Sequence, residues 1–187
     1  RSNVYTPDDI MNGAEPEGPV IVFDDDHYYM GSVISERLRA LGREVVLVTP
    51  EAVASAFTTY TLEQSRVQAR LMEAGIRIVA SHSLVSIGSD VAELRCTYTD
   101  RVSSIACTSL VLVTALTAND GLYTDLVQTA AADGDGGPRR IVRIGDCYAP
   151  GTIAAAVWSG HRCAREPFSE ITDEVPFKLE RVELVDG

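Results

Sequence analysis

The chain has 187 residues, 45% hydrophobic and 23% charged, which is enough apolar material for a real core and places it among globular proteins. Its formal net charge of −11 argues against nucleic acid, whose phosphates it would repel. No apolar run approaches the roughly 20 residues needed to cross a bilayer, and the first residues do not read as a signal peptide, so a cytoplasmic protein with no membrane attachment is expected.

Arg1-Ser2-Asn3-Val4-Tyr5 reads as the middle of a protein, so the chain is expected to be a piece of a longer one. Residues 1–17, polar with scattered Pro and Gly, read as a linker with room for one helical turn. A strand is predicted over 19–23, Pro-Val-Ile-Val-Phe. A helix follows, with Met30, Val33, Ile34, Leu38 and Leu41 at 3.6-residue spacing and Gly42 as its stop. The apolar run 44–48 reads as a strand covered on both faces, ended by Pro50. Thr61 and Gln64 have the T-x-x-Q form of a capping box, predicting a helix to about residue 74 that Gly75 stops. Strand 76–80, β-rich runs at 84–87, 92–98 and 105–107, and an apolar strand at 109–114 complete the first part. Two β-α units, a meander and a return strand predict an α/β, Rossmann-like domain over 18–118, mostly parallel with antiparallel additions.

A helix is predicted over 122–131 and a loop over 133–138. Strand 141–144 then leads through Gly145-Asp146-Cys147-Tyr148-Ala149-Pro150-Gly151 into a helix over 152–165, with a last strand over 176–184.

The turn after the first predicted strand reads Asp24-Asp25-Asp26-His27-Tyr28-Tyr29-Met30-Gly31. A strand–turn–helix unit that grips a pyrophosphate uses G-x-G-x-x-G, for the tight turn and close approach of the phosphate. In that register Asp24, Asp26 and Tyr29 replace the three glycines. Carboxylates suit the positive end of a helix, but they fill and charge the place a phosphate needs. The second strand ends Val48-Thr49-Pro50, without the acidic residue that would bind an adenosine ribose. Asp24, Asp25, Asp26 and His27 are metal-ligating types. Consecutive turn residues rarely converge on one ion, however, so capping and solvation are expected and no metal site is assigned. Tyr28, Tyr29 and Met30 are expected to pack.

Cys96, Cys107, Cys147 and Cys163 form no C-x-x-C pair, so they read as small buried thiols. His82 reads as a local hydrogen-bonding residue and His161 as packed beside Trp158. No catalytic residue is assigned.

Together, the turn string from Asp24 to Gly31 and the string Gly145-Asp146-Cys147-Tyr148-Ala149-Pro150-Gly151-Thr152-Ile153-Ala154 resemble the amine-oxidising branch of the NADH:flavin oxidoreductases, the trimethylamine, dimethylamine and histamine dehydrogenases. Thr6-Pro7-Asp8-Asp9 and Thr61-Leu62-Glu63-Gln64 fit the same branch. The resemblance implies a parent with a TIM barrel carrying FMN and a [4Fe–4S] cluster, followed by a reductase-like region. There an NAD(P)H-like domain, here 18–118, is inserted into an FAD-like domain whose C-terminal half would lie within 119–187. It implies ADP in the FAD-like domain, a homodimer, and an electron-transferring flavoprotein as partner. It also implies that Gly145, Asp146, Thr152 and Ile153 face the cofactor. Gly145 would permit close backbone approach, and the first amides of the helix would face an anion. No cofactor is expected in this chain alone, which would be a non-catalytic scaffold. The alternatives are an NAD(P)H-binding domain of the dienoyl-CoA reductase type and a stand-alone interaction domain.

Overall fold

The computed structural model describes residues 3–132 and 140–166; the predicted loop over 133–138 and strand over 176–184 lie outside them. The chain divides into two compact units, residues 1–115 and 116–187.

The first unit contains β1 (Val4–Tyr5), α1 (Pro7–Met11), β2 (Val20–Asp24), α2 (Met30–Ala40), β3 (Val45–Val48), α3 (Gln64–Glu73), β4 (Arg77–Val79), β5 (His82–Ile87), β6 (Val91–Cys96), β7 (Val102–Ala106) and β8 (Ser109–Val113). A parallel sheet has the order β1-β8-β2-β3-β4, and β5-β6-β7 form a separate antiparallel sheet. Central β2 pairs Val22 with Leu47 on one side and with Val111 on the other.

Side chains alternate along a strand, so the apolar run of β2 serves two cores at once. Val20 and Val22 face Ile34 and Leu38 of α2 and Val67 and Leu71 of α3 in one cluster. Ile21 and Phe23 face Ala92 and Leu94 of the antiparallel sheet, and Cys107 just beyond it, in the other. The result is three layers: helices, parallel sheet, antiparallel sheet.

Both predicted glycine stops are helix ends. Gly42 (φ +79°) and Gly75 (φ +72°) take left-handed conformations that other residues adopt only with strain. The Arg43 amide then donates to Leu38 O (3.1 Å) and the Ile76 amide to Leu71 O (3.0 Å), which caps the last free carbonyls.

Three expectations need correction. The buried stripe of α2 is Gly31, Ser32, Ile34, Ser35 and Leu38, while Met30, Val33 and Leu41 are partly exposed. Small residues face inward because the helix lies close upon the end of β2. Thr61 does not cap α3, whose N-cap is Glu63; its hydroxyl donates to Thr58 O (3.0 Å) instead. The capping box lies at Thr6 and Asp9, within the stretch read as linker. There the Asp9 amide donates to Thr6 Oγ1 (3.2 Å) and the Thr6 amide to Asp9 Oδ2 (2.8 Å). These Thr6 hydrogen bonds hold the Asp9 carboxyl below its ordinary range. β1 of the same stretch pairs in parallel with β8. Thr6→Ala should lower the unfolding free energy by about 1 kcal/mol in urea titration, the usual worth of such a cap.

The second unit contains α4 (Gly121–Ala132), a 3₁₀ turn at Gly145–Cys147, and α5 (Ile153–Arg165). Residues 141–144 form no strand, contrary to expectation. A strand exists only where a neighbour accepts and donates its backbone bonds, and no described residue of this unit offers one. Asp120 pairs with Arg143, whose guanidinium lies 4.7 Å from the Tyr123 ring centre and 5.6 Å from that of Tyr148.

Candidate functional site

In the parallel sheet of the first unit, β8 and β3 flank β2, so the strand order reverses at the carboxyl end of β2. That crevice is where open α/β sheets take their ligands. The turn of residues 24–31 occupies it, and three sets of contacts close it.

The first closure is covalent volume. Asp24 is fully buried, and a Cβ built on Gly31 would lie 2.5 Å from Asp24 Cγ. The carboxylate therefore fills the space where a fingerprint glycine would admit a phosphate. Its Oδ1 accepts the His27 amide (3.1 Å), and Oδ2 has no partner among the described residues. Burial pushes the Asp24 pKa up to about 6, opposed by the His27 amide and imidazole and the Asp26 amide, and assisted by the Asp26 charge.

The second closure is backbone. The Asp25 amide donates to Val113 O (2.8 Å), which stitches the ends of β2 and β8 together. His27 takes a left-handed conformation (φ +62°), which turns its carbonyl outward toward the third closure.

That third closure is a strap, residues 55–63, between β3 and α3. The Phe57 amide donates to His27 O (2.8 Å), and the Phe57 ring stands edge-on to the His27 ring at 5.2 Å between centres. Tyr60 extends this ring chain, 6.3 Å from Phe57. The Tyr29 hydroxyl donates to Glu63 Oε2 and lies 2.8 Å from Thr61 Oγ1. That bond to Glu63 raises the phenol's pKa and lowers the carboxyl's. The strap is held at both ends by left-handed residues, Ser55 (φ +51°) and Leu62 (φ +61°), conformations that a residue as bulky as leucine rarely adopts.

The three carboxylates therefore act differently from the uniform negative mouth that the sequence suggests. Asp24 points inward as filler, while Asp25 and Asp26 are exposed, with Asp25 Oδ1 3.6 Å from His27 Nε2. Packing fills the space beside Gly31, and charge is added only at the exposed Asp25 and Asp26. Among the described residues no group of three or more His, Cys, Asp or Glu side chains is placed to hold a metal ion. Phe57, Tyr60 and Glu63 carried no sequence signal for this role. Nothing in their spacing marks a contact some 30 positions away in the chain (Tyr29 to Glu63 is 34 apart).

In the second unit, Gly145 (φ +59°) donates its amide to Ser159 Oγ (2.8 Å). Asp146 Oδ1 accepts the Gly151 amide (3.3 Å), and Thr152 caps α5 by accepting the Ala155 amide (3.3 Å). Ile153 is exposed at the helix start. The structure thus gathers all four expected residues around one loop and helix N-terminus, but it uses three of the local amides internally.

Of the cysteines only Cys107 is buried; Cys96, Cys147 and Cys163 are partly exposed, contrary to expectation. Burial raises the Cys107 thiol, which donates to Ser109 O (3.1 Å), whereas a hydrogen bond with the Thr99 side chain lowers Cys96. His82 Nδ1 lies 2.8 Å from Ala80 O, the local contact expected of it. His161 is exposed on α5 where packing was expected, and the Arg162 guanidinium lies 5.4 Å from the Trp158 ring centre. No helix among the described residues is long and apolar enough to cross a membrane.

Residues 5–106 match the family described as the OYE-like second alpha/beta domain. Dimethylamine dehydrogenase of Hyphomicrobium sp. (strain x) is 25% identical over 199 residues, covering 96% of this chain and 27% of that protein. The structure of histamine dehydrogenase from Rhizobium sp. 4-9 is 38% identical with a TM-score of 0.84, over 98% of this chain and 29% of that one. The structure of 6-hydroxypseudooxynicotine amine oxidase (HisD) from Pseudomonas geniculata N1 is also 38% identical, with a TM-score of 0.79, over 89% and 25%. The chain spans between 25% and 29% of the length of these relatives.

Proposed function

We infer from the OYE-like second alpha/beta domain family, to which this chain belongs through residues 5–106, that it is the nucleotide-domain scaffold of an amine-oxidising flavoprotein. The observation that carries the scaffold role is the Asp24 carboxylate seated where Gly31 would otherwise leave room for a diphosphate. NAD(P)H does not fit this turn. An enzyme that draws electrons from an amine has no need of that coenzyme, so a filled cradle is compatible with its chemistry.

FMN and a [4Fe–4S] cluster are proposed for the longer protein, where the flavin would accept electrons from the amine. No residue of this chain is assigned to that step. Gly145, Asp146, Thr152 and Ile153 are proposed to line an ADP site in the longer protein. In the chain alone, the amides of Gly145, Gly151 and Ala155 are already bonded within it, so ADP binding should be weak or absent. A homodimer, an electron-transferring flavoprotein as acceptor and a cytoplasmic location complete the proposal.

The reading is tested by calorimetric titration with NADH, NADPH and ADP. No saturable heat is expected with either nicotinamide coenzyme at millimolar concentration. A dissociation constant in the micromolar range would favour the dienoyl-CoA reductase type of domain instead.

A further inference from the structure

Two buried polar atoms in this one turn lack partners among the described residues: Asp24 Oδ2 and His27 Nδ1. One belongs to the left-handed residue His27 itself and the other to the side chain its amide bonds, and the His27 carbonyl anchors the strap through Phe57. A buried carboxylate with one unbonded oxygen is tolerable when neutral and costly when ionised. Hydration would relieve that cost, and water reaches Asp24 only if the turn lifts from α2. Because His27 holds both the Asp24 side chain and the Phe57 amide, lifting the turn also lets go of the strap.

We propose that turn 24–31 and strap 55–63 form one latch, held while Asp24 keeps its proton and loosened when the carboxyl releases it to solvent. The charged groups bearing on Asp24 are Asp26, which favours the proton, and His27, which disfavours it. Asp25 lies beside His27 Nε2 (3.6 Å). Across from Asp24 stands Gly31 at the start of α2, and the adjacent Asp25 amide is bonded to Val113 O of β8; neither Gly31 nor Val113 titrates. Glu63 of the strap is engaged by Tyr29. With an ordinary carboxyl pKa of 3.8 in the opened turn and about 6 in the closed one, the opening constant should rise about tenfold between pH 5.0 and pH 7.5.

The test is amide hydrogen exchange followed by NMR on the full chain, corrected for the intrinsic pH dependence of exchange. The Phe57 amide should lose about tenfold in protection from pH 5.0 to pH 7.5, while remaining faster to exchange than amides of β3. Asp24→Asn keeps an acceptor for the His27 amide and should abolish the change. A Phe57 amide indifferent to pH, or one whose dependence survives in D24N, would overturn the latch. If D24N fails to fold, the wild-type Asp24 carboxyl carbon decides. Its chemical shift should titrate with the same midpoint as the Phe57 amide shift, and a midpoint at or below 4, or two different midpoints, overturns the proposal.

Discussion

Gly31→Ala is expected to destabilise the chain by about 1–3 kcal/mol, the usual cost of forcing a methyl into a packed interior. The added Cβ would meet Asp24 Cγ at 2.5 Å, Asp24 Cβ at 2.7 Å and Oδ2 at 2.8 Å. None of these atoms can swing away, because Asp24 is buried and its Oδ1 is tied to the His27 amide. All three belong to one side chain, so the clash has a specific remedy. Asp24→Gly in the same chain, which restores a fingerprint glycine, should recover most of the loss. The two substitutions should therefore show a favourable coupling of at least about 1 kcal/mol in a double-mutant cycle, read by urea unfolding. Additive effects would mean that α2 shifts to accommodate the methyl, and that Asp24 is not what fills the cradle.

The second large effect is on the pH dependence of stability. Asp24 has a folded-state pKa of about 6 against 3.8 for the free side chain, raised chiefly by burial. The folded chain therefore binds the proton more tightly than the unfolded chain. Its stabilising contribution is fully present below about pH 3.8 and is lost as pH rises through 6. The gap between 3.8 and about 6, at about 1.4 kcal/mol per unit, comes to about 3 kcal/mol. Above pH 7 the wild-type chain carries the ionised group at that cost. Relative to wild type, Asp24→Asn should thus gain stability as pH rises from 4 to 7, with a flatter profile across that window. Parallel profiles for the two proteins would show that Asp24 titrates normally.

The sheet and its two faces were legible in the sequence because the signal there is local. The apolar run 44–48 reads as a strand covered on both faces, and Val45, Val46, Leu47 and Val48 of β3 are all buried. Gly42 and Gly75 follow helical periodicity, and the structure makes both the left-handed ends of helices. The capping box was found in the wrong place for an equally local reason. Thr61-x-x-Gln64 matches the common form, whereas Thr6-x-x-Asp9 uses a shorter acid that still reaches the Thr6 amide. Strand 141–144 failed because an apolar run predicts a strand only if a neighbour exists to pair with it.

The blocked turn was legible in outline and misread in mechanism. Three carboxylates in a turn where two of them, with Tyr29, replace the fingerprint glycines suggest that a phosphate is unwelcome. They do not announce that the first is buried, the other two solvated, and that a strap holds the turn through Phe57 and Glu63. Burial of Asp24 follows from its position as the last residue of β2, one that faces Gly31 across the helix start. That is a relation between the end of a strand and the start of a helix, which neither the helical nor the strand period describes. The strap's contacts are longer still, and no spacing rule encodes them.

The most direct test is a crystal of the chain soaked with NADPH at high concentration. No coenzyme density is expected at the turn, with Asp24 in contact with Gly31 and Phe57 still bonded to the His27 carbonyl. A diphosphate seated on the backbone amides at the start of α2, with the strap displaced, would contradict that expectation.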